Sequence, residues 1–298
     1  MVSPTYKPTK LIKIVGELTK ILPRGKGAIA RVLGRVLRKQ LHNTYFTTRY
    51  GAKLCIDSGN LDFYCTMHRW DNSWEHWVFD TAQWLVPDDG VFYDIGANVG
   101  YMSIEMLQLK PKTQVISFEP IPELANIVDQ SKRLNNFDNR SRTFETALSN
   151  TNEDATIIVP AHQGHASIAE KNHVKERGRR VHVKCRLLDD LIKEESLPLP
   201  DVIKIDVEGH ELQVLQGSLK TIAGVQPHIL FEVSDLKQLR EIKQLLSDCA
   251  EYRYFYAIGS YRPLKELSEN LKITDKIDII AISLRHPNLN GSVSQKLN

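Results

Sequence analysis

Apolar positions recur at helical spacing in two blocks near the start of the chain, separated by Pro23, Gly25 and Gly27. Leu11, Ile12, Val15, Leu18 and Leu22 share one face; Ile29, Val32, Leu33, Val36 and Leu37 share another, with Arg31, Arg35 and Arg38 largely opposite. Residues 52–66 alternate loosely, which predicts a hairpin around Asp57, Ser58, Gly59 and Asn60. Trp70, Trp74 and Trp77 then recur at helical spacing, as a packed helix face or as the floor of an acceptor pocket. His68 and His76 beside them form no ligand constellation. From Val91 onward short apolar runs alternate with helical segments. Val91–Ile95, Gln114–Glu119, Arg142–Leu148 and Val202–Asp206 read as parallel strands, with helices after the first, second and fourth. Pro227–Val233 and Asp278–Leu284 read as later strands, and residues 286–298 as a flexible tail. The pattern predicts a doubly wound α/β sheet whose ligand lies beyond the carboxyl ends of the strands. Ahead of it stand a basic helical extension (1–50) and a hairpin with a Trp-rich helix (51–90), the latter a candidate acceptor-side element.

Composition sharpens this picture at three points. At 298 residues, with 42% hydrophobic and 25% charged residues, the chain is neither fibrous nor disordered throughout. Its +3 net charge hides an asymmetry: before residue 54 there are twelve Lys/Arg against Glu17 alone, giving +11, and the remainder carries −8. The basic segment can meet an anionic surface or an acidic partner, or simply cap the protein's own core, and the acidic remainder argues against a nucleic-acid binder. Cys55, Cys65, Cys185 and Cys249 show no CxxC pair or metal-ligand spacing, so the expected environment is reducing. Residues 10–22 are too short and too charged to span a bilayer, and no secretory apolar core is evident. The expected location is cytoplasmic, with peripheral membrane attachment through the basic segment left open.

Three segments carry the chemistry. Val91-Phe92-Tyr93-Asp94-Ile95-Gly96-Ala97-Asn98-Val99-Gly100 sets an acid at a strand end and small residues across the turn into the next helix. Gly96 and Gly100 permit close backbone approach, and the helix start favours an anionic group. The turn lacks the full GxGxxG of a dinucleotide site, which disfavours NAD. Ile116-Ser117-Phe118-Glu119-Pro120 places a carboxylate at the next strand end, where it can accept both hydroxyls of a ribose. Ile203-Lys204-Ile205-Asp206-Val207-Glu208-Gly209-His210-Glu211 again gathers acids and a glycine at the end of an apolar strand. Polar groups at successive strand ends point to one shared crevice.

The segments FYDIGANVGYMS, ISFEPIPELANIV, TALSN, GHASI, VKCRLLDDLI and IKIDVEGHELQVLQG, in this order over about residues 91–233, resemble the FkbM family of S-adenosylmethionine-dependent methyltransferases. The resemblance implies a class I methyltransferase (Rossmann-like) fold over 91–285, S-adenosyl-L-methionine as cofactor, and O-methylation of a small metabolite, sugar or glycan. It further implies that Asp94, Gly96, Asn98 and Gly100 surround the methionine portion of the cofactor and that Glu119 binds its ribose. Pro120 and Ile121 border the adenosine pocket, Ala147 and Leu148 lie near adenine, and Asp206, Glu208 and Gly209 surround the active crevice. The chain departs from the family pattern in residues 155–178 and in VKCRLLDDLI, where cysteine and arginine stand in a stretch more often threonine-leucine-like.

Direct displacement from a sulfonium relies on alignment, and an alcohol acceptor also gains from proton removal. His165 and His210 are the candidate bases, each with a non-catalytic alternative: an acceptor-loop role for His165 and a structural one for His210. Asp206 and Glu208 are candidate catalytic acids whose spacing does not separate base from structural ligand. A divalent ion on either acid is a further option, although no complementary ligand set accompanies His162 and His165. The rival readings are a nucleotide-dependent oxidoreductase and a noncatalytic cofactor-binding adaptor.

Overall fold

The computed structural model describes residues 6–20, 26–56, 64–65, 76–160, 167–168, 178–256, 265–268, 271–273 and 276–285. The basic segment forms β1 (Lys7–Pro8), α1 (Leu11–Lys20), α2 (Lys26–Val36), α3 (Arg38–Leu41), β2 (Thr44–Thr47) and β3 (Lys53–Cys55). β1 runs parallel to β2, and β2 antiparallel to β3. The observed hairpin therefore joins β2 to β3 through a turn with Gly51 at φ 88°. The turn expected at Asp57–Asn60 lies outside the described residues, as do His68, Trp70, Trp74 and the tail 286–298. His76 opens α4 (His76–Leu85), from which Trp77 packs partly buried against the core.

The main sheet takes β4 (Val91–Ile95), β5 (Gln114–Phe118) and β6 (Ser141–Phe144), with α5 (Tyr101–Leu109) and α6 (Pro122–Leu134) between them. The stretch expected as one strand over 142–148 is broken in two. β6 pairs with β5, whereas β7 (Ala147–Leu148) leaves the sheet to pair with a strand further along. β8 (Ala155–Pro160), β9 (Ser167–Ile168) and β10 (Gly178–Val183) form a separate antiparallel sheet, and β11 (Cys185–Arg186) is the partner of β7. The chain continues through α7 (Leu188–Glu194), β12 (Val202–Ile205), α8 (Glu211–Gln216), α9 (Leu219–Val225), β13 (His228–Val233), α10 (Leu236–Cys249), β14 (Tyr252–Tyr256), β15 (Lys265–Glu266) and β16 (Ile277–Ser283).

Sheet order is β15-β14-β16-β13-β12-β4-β5-β6. The five strands from β13 to β6 are parallel, and β16, β14 and β15 extend the sheet antiparallel. Both faces are buried, so the strands read as apolar runs. Phe92, Val115 and Val202 pack on one side with α5, α6 and the N-terminal helices, through Ile12, Val15 and Leu41. Tyr93, Ile116, Ile203 and Ile229 pack on the other with α7 to α10. Strand order reverses between β4 and β12, where open α/β sheets of this kind open a crevice at the carboxyl ends. This is a doubly wound, Rossmann-like fold.

Candidate active site

The crevice at that switch point is open to solvent and lined by the turns that follow β4, β5 and β12. Its first wall is the turn between β4 and α5. Gly96, Asn98 and Gly100 all adopt left-handed backbone, with φ of 76°, 53° and 83°. The Gly96 and Ala97 N–H groups donate to the Phe118 carbonyl at 2.9 and 3.1 Å, which pins the turn to the end of β5. A Cβ on Gly96 would stand 1.9 Å from the Asp206 carbonyl oxygen, so this turn packs backbone to backbone against the turn after β12.

Glu119 is buried at the end of β5. Its Oε2 accepts from the Asn98 N–H at 2.7 Å and its Oε1 from the Ile121 N–H at 2.9 Å. Burial pushes its carboxyl up to about 7, against the two backbone donors and the Lys204 cation, which all favour the charged form. A carboxylate offers about four acceptor positions, so two backbone bonds leave capacity toward the cavity. Phe118, Pro120, Ile121, Leu124, Ala147 and Leu148 supply an apolar wall beside it.

The opposite wall is the turn after β12, where Asp206, Val207, Glu208 and His210 face the cavity. Glu208 and Gly209 are left-handed at φ 56° and 96°. The buried Glu211 carboxylate ties this turn by accepting the Val207 and Gly209 N–H groups at 3.2 and 3.1 Å, and takes a third bond from Gln238 at 2.8 Å. Lys276 Nζ bridges Glu208 at 2.5 Å and Glu232 at 2.6 Å. Burial alone would lower the Lys276 ammonium, and the two carboxylates override it and raise it. His210 Nε2 lies 2.9 Å from Ser149 Oγ. Ser149 Oγ also lies 3.4 Å from Asn150 Oδ1, and either Ser149 or His210 can donate in the bond they share, according to the imidazole tautomer.

Ten of the residues singled out from the sequence thus meet at one cavity: Gly96, Asn98, Glu119, Pro120, Ile121, Ala147, Leu148, Asp206, Glu208 and His210. Asp94, Gly100 and Gly209 do not line it. Gly100 caps α5 and faces Val128 of α6, whose side chain a Cβ would meet at 3.0 Å. Asp94 is fully buried behind the turn, accepting from Ser103 Oγ at 2.6 Å, and Ser103 Oγ is 2.8 Å from Ser117 Oγ. His165 lies outside the described residues. Among the described residues no group of three or more His, Cys, Asp or Glu is placed to hold a metal ion.

Sequence reasoning missed Lys204. The sheet register puts Ser117, Asp94 and Lys204 opposite one another on neighbouring strands, a polar rung across an otherwise apolar face. Lys204 is buried, with Nζ 3.2 Å from the Gly96 carbonyl oxygen, 3.5 Å from Asp94 Oδ1 and 3.4 Å from Asp206 Oδ2. One cation thereby links both walls. The available signal was a lysine between two isoleucines in a strand buried on both faces, since such a group needs charged partners.

A doubly wound sheet with a glycine-asparagine turn at its switch point and a carboxylate closing the next strand is built to hold a nucleoside cofactor. The description "Methyltransferase FkbM domain" matches residues 94–256, more than half of the chain, and the protein belongs to the FkbM methyltransferase family. Among curated proteins it is similar to the 2-O-methyltransferase NoeI of Sinorhizobium fredii, 34% identical over 164 residues, covering 51% of this chain and 66% of NoeI. It is also similar to the hexuronic acid methyltransferase AglP of Haloferax volcanii, 24% identical over 173 residues, covering 54% of this chain and 63% of AglP. The chain thus spans slightly under two thirds of the length of both relatives. Among solved structures, the FkbM methyltransferase of Methylobacillus flagellatus KT aligns with a TM-score of 0.44 and 14% identity, over 74% of this chain and 52% of that one.

Proposed function

We propose that this enzyme uses S-adenosylmethionine to methylate a hydroxyl oxygen of a small metabolite, sugar or glycan. Glu119 carries the reading: a buried carboxylate, oriented by two backbone N–H groups, with acceptor capacity turned to the cavity suits the vicinal hydroxyls of a ribose. Gly96 and Asn98 would hold the amino-acid end of the cofactor, and Pro120, Ile121, Ala147 and Leu148 would enclose its base. When bound, the cofactor supplies a methyl group on a cationic sulfonium. Asp206 and Glu208 line the cavity with their charges balanced by Lys204 and Lys276, so they offer acceptor oxygens there rather than a net negative field. His210, oriented through Ser149, takes the acceptor's hydroxyl proton. The sugar reading is supported by the names of the two relatives, a hexuronic acid methyltransferase and a 2-O-methyltransferase.

Calorimetry against S-adenosylmethionine, NAD and NADP under identical conditions tests the cofactor, and label transfer to a panel of sugars and uronic acids tests the acceptor. Saturable binding of S-adenosylmethionine alone, followed by an O-methylated sugar, is expected. A preference for a nicotinamide cofactor would replace the reading with redox chemistry; binding without turnover across the panel would favour an adaptor.

A further inference from the structure

Eight large apolar side chains stand exposed among the described residues, and five of them fall between residues 14 and 36. They are Ile14 (51% exposed), Leu18 (60%), Ile29 (41%), Val32 (55%) and Val36 (69%). Such a concentration is not the scattered exposure of an ordinary surface. Ile14 and Leu18 lie one turn apart on α1, and Ile29, Val32 and Val36 form a single row along α2. The same helices are fixed to the protein body by their other faces, where Ile12, Val15 and Ala30 are buried in the core. The outward rows are therefore presented by anchored helices.

The same segment is rich in exposed cations. Lys7, Lys10, Lys13, Arg35, Arg38 and Lys39 are all exposed, and Glu17 is the only acid before residue 54. Exposed apolar rows on helices that also carry exposed long basic side chains match a surface whose acyl boundary takes the former and whose anionic headgroups take the latter. A nucleic acid would use the cations and leave the apolar rows in water. We propose that the outer faces of α1 and α2 dock on an anionic lipid bilayer and hold the methyltransferase at a membrane surface.

The test is co-sedimentation of the full chain with phosphatidylcholine vesicles, with and without phosphatidylserine. Binding is expected only to the phosphatidylserine vesicles, and it should weaken between about 0.1 M and about 0.5 M salt as screening shortens the reach of each charge. A basic residue near such a surface contributes about fivefold to partition, so Arg35→Gln with Arg38→Gln should lower it about 25-fold. Val32→Ser with Val36→Ser should lower it about tenfold or more. These positions are exposed, and both variants should keep the parent melting temperature. Equal partition onto neutral vesicles, or none onto either, overturns the proposal. So does anionic-vesicle binding that the valine substitutions leave unchanged, which would reduce the face to a generic polycation. A concentration-dependent dimer abolished by the valine substitutions, with vesicle binding intact, would reassign the rows to self-association.

Discussion

The turn after β5 and the turn after β12 each bring a carboxylate to the cavity, and they hold it by different means. Glu119 is fixed by the N–H groups of Asn98 and Ile121, donors that belong to the main chain. Glu208 is held by Lys276, a side chain from the loop before β16 that is itself 42% exposed. Backbone donors cannot swing away without unfolding the turn, whereas an ion pair between long side chains exchanges with water at little cost. One wall is therefore preorganised and the other adjustable. That division suits an enzyme whose cofactor is constant and whose acceptor is the variable partner.

The most damaging way to break this arrangement is to remove the cation the two walls share. Lys204→Met leaves Asp94 and Asp206 without their common partner, and loss of one member of a buried charge set costs about 3–5 kcal/mol. Thermal unfolding should show this as a large drop in Tm. Gly96→Ala comes next, because its Cβ would press on the Asp206 carbonyl from a left-handed backbone, at a cost on the order of 3 kcal/mol. Cofactor binding should be lost with the turn, as calorimetry would show.

Glu119→Gln is milder. It keeps one acceptor oxygen but turns an amide N–H₂ toward a backbone donor, so affinity for S-adenosylmethionine should fall roughly 10- to 30-fold, about 1.5–2 kcal/mol. The parent protein should also carry a pH signature. Glu119 and Glu105 are both pushed by burial from 4.5 up to about 7, so the native state holds more protons than the unfolded chain across that window. Stability of the cofactor-free protein should therefore fall as pH rises from about 4.5 through about 7, and Glu119→Gln should flatten the slope. A slope unchanged in that variant would remove Glu119 as its source. The smallest effect is expected at Lys276→Gln. Lys276 is 42% exposed, so solvent screens its pairs with Glu208 and Glu232 in part, and stability should change by about 1 kcal/mol. The acceptor KM should rise while cofactor affinity stays as it was. Equal changes in both would erase the contrast between the two walls.

The sequence made the parallel strands legible because they are buried on both faces, as VFYDI and VIKI show. It made the glycine turn and Glu119 legible because each sits at the end of such a run. The break between β6 and β7 was not legible. TFETAL carries no glycine or proline, and the departure is set by β11, nearly forty residues later. Lys204 was hidden for a related reason: its partners are assigned by sheet register, which one strand's pattern does not contain. Asp94 was legible as a polar residue at a strand end, but its partners, Ser103 of α5 and Lys204 of β12, lie on other elements and were not.

The contact between Gly96 and the Asp206 carbonyl has a consequence for anyone grafting acceptor specificity between relatives. At Gly96 the two turns meet backbone to backbone, and the Asp206 carbonyl leaves no room there for even a methyl group. A transplanted turn after β12 can vary in its outward residues, yet it must reproduce the path of one peptide group. Chimeras should tolerate exchange from residue 207 onward and fail when the cut moves that carbonyl.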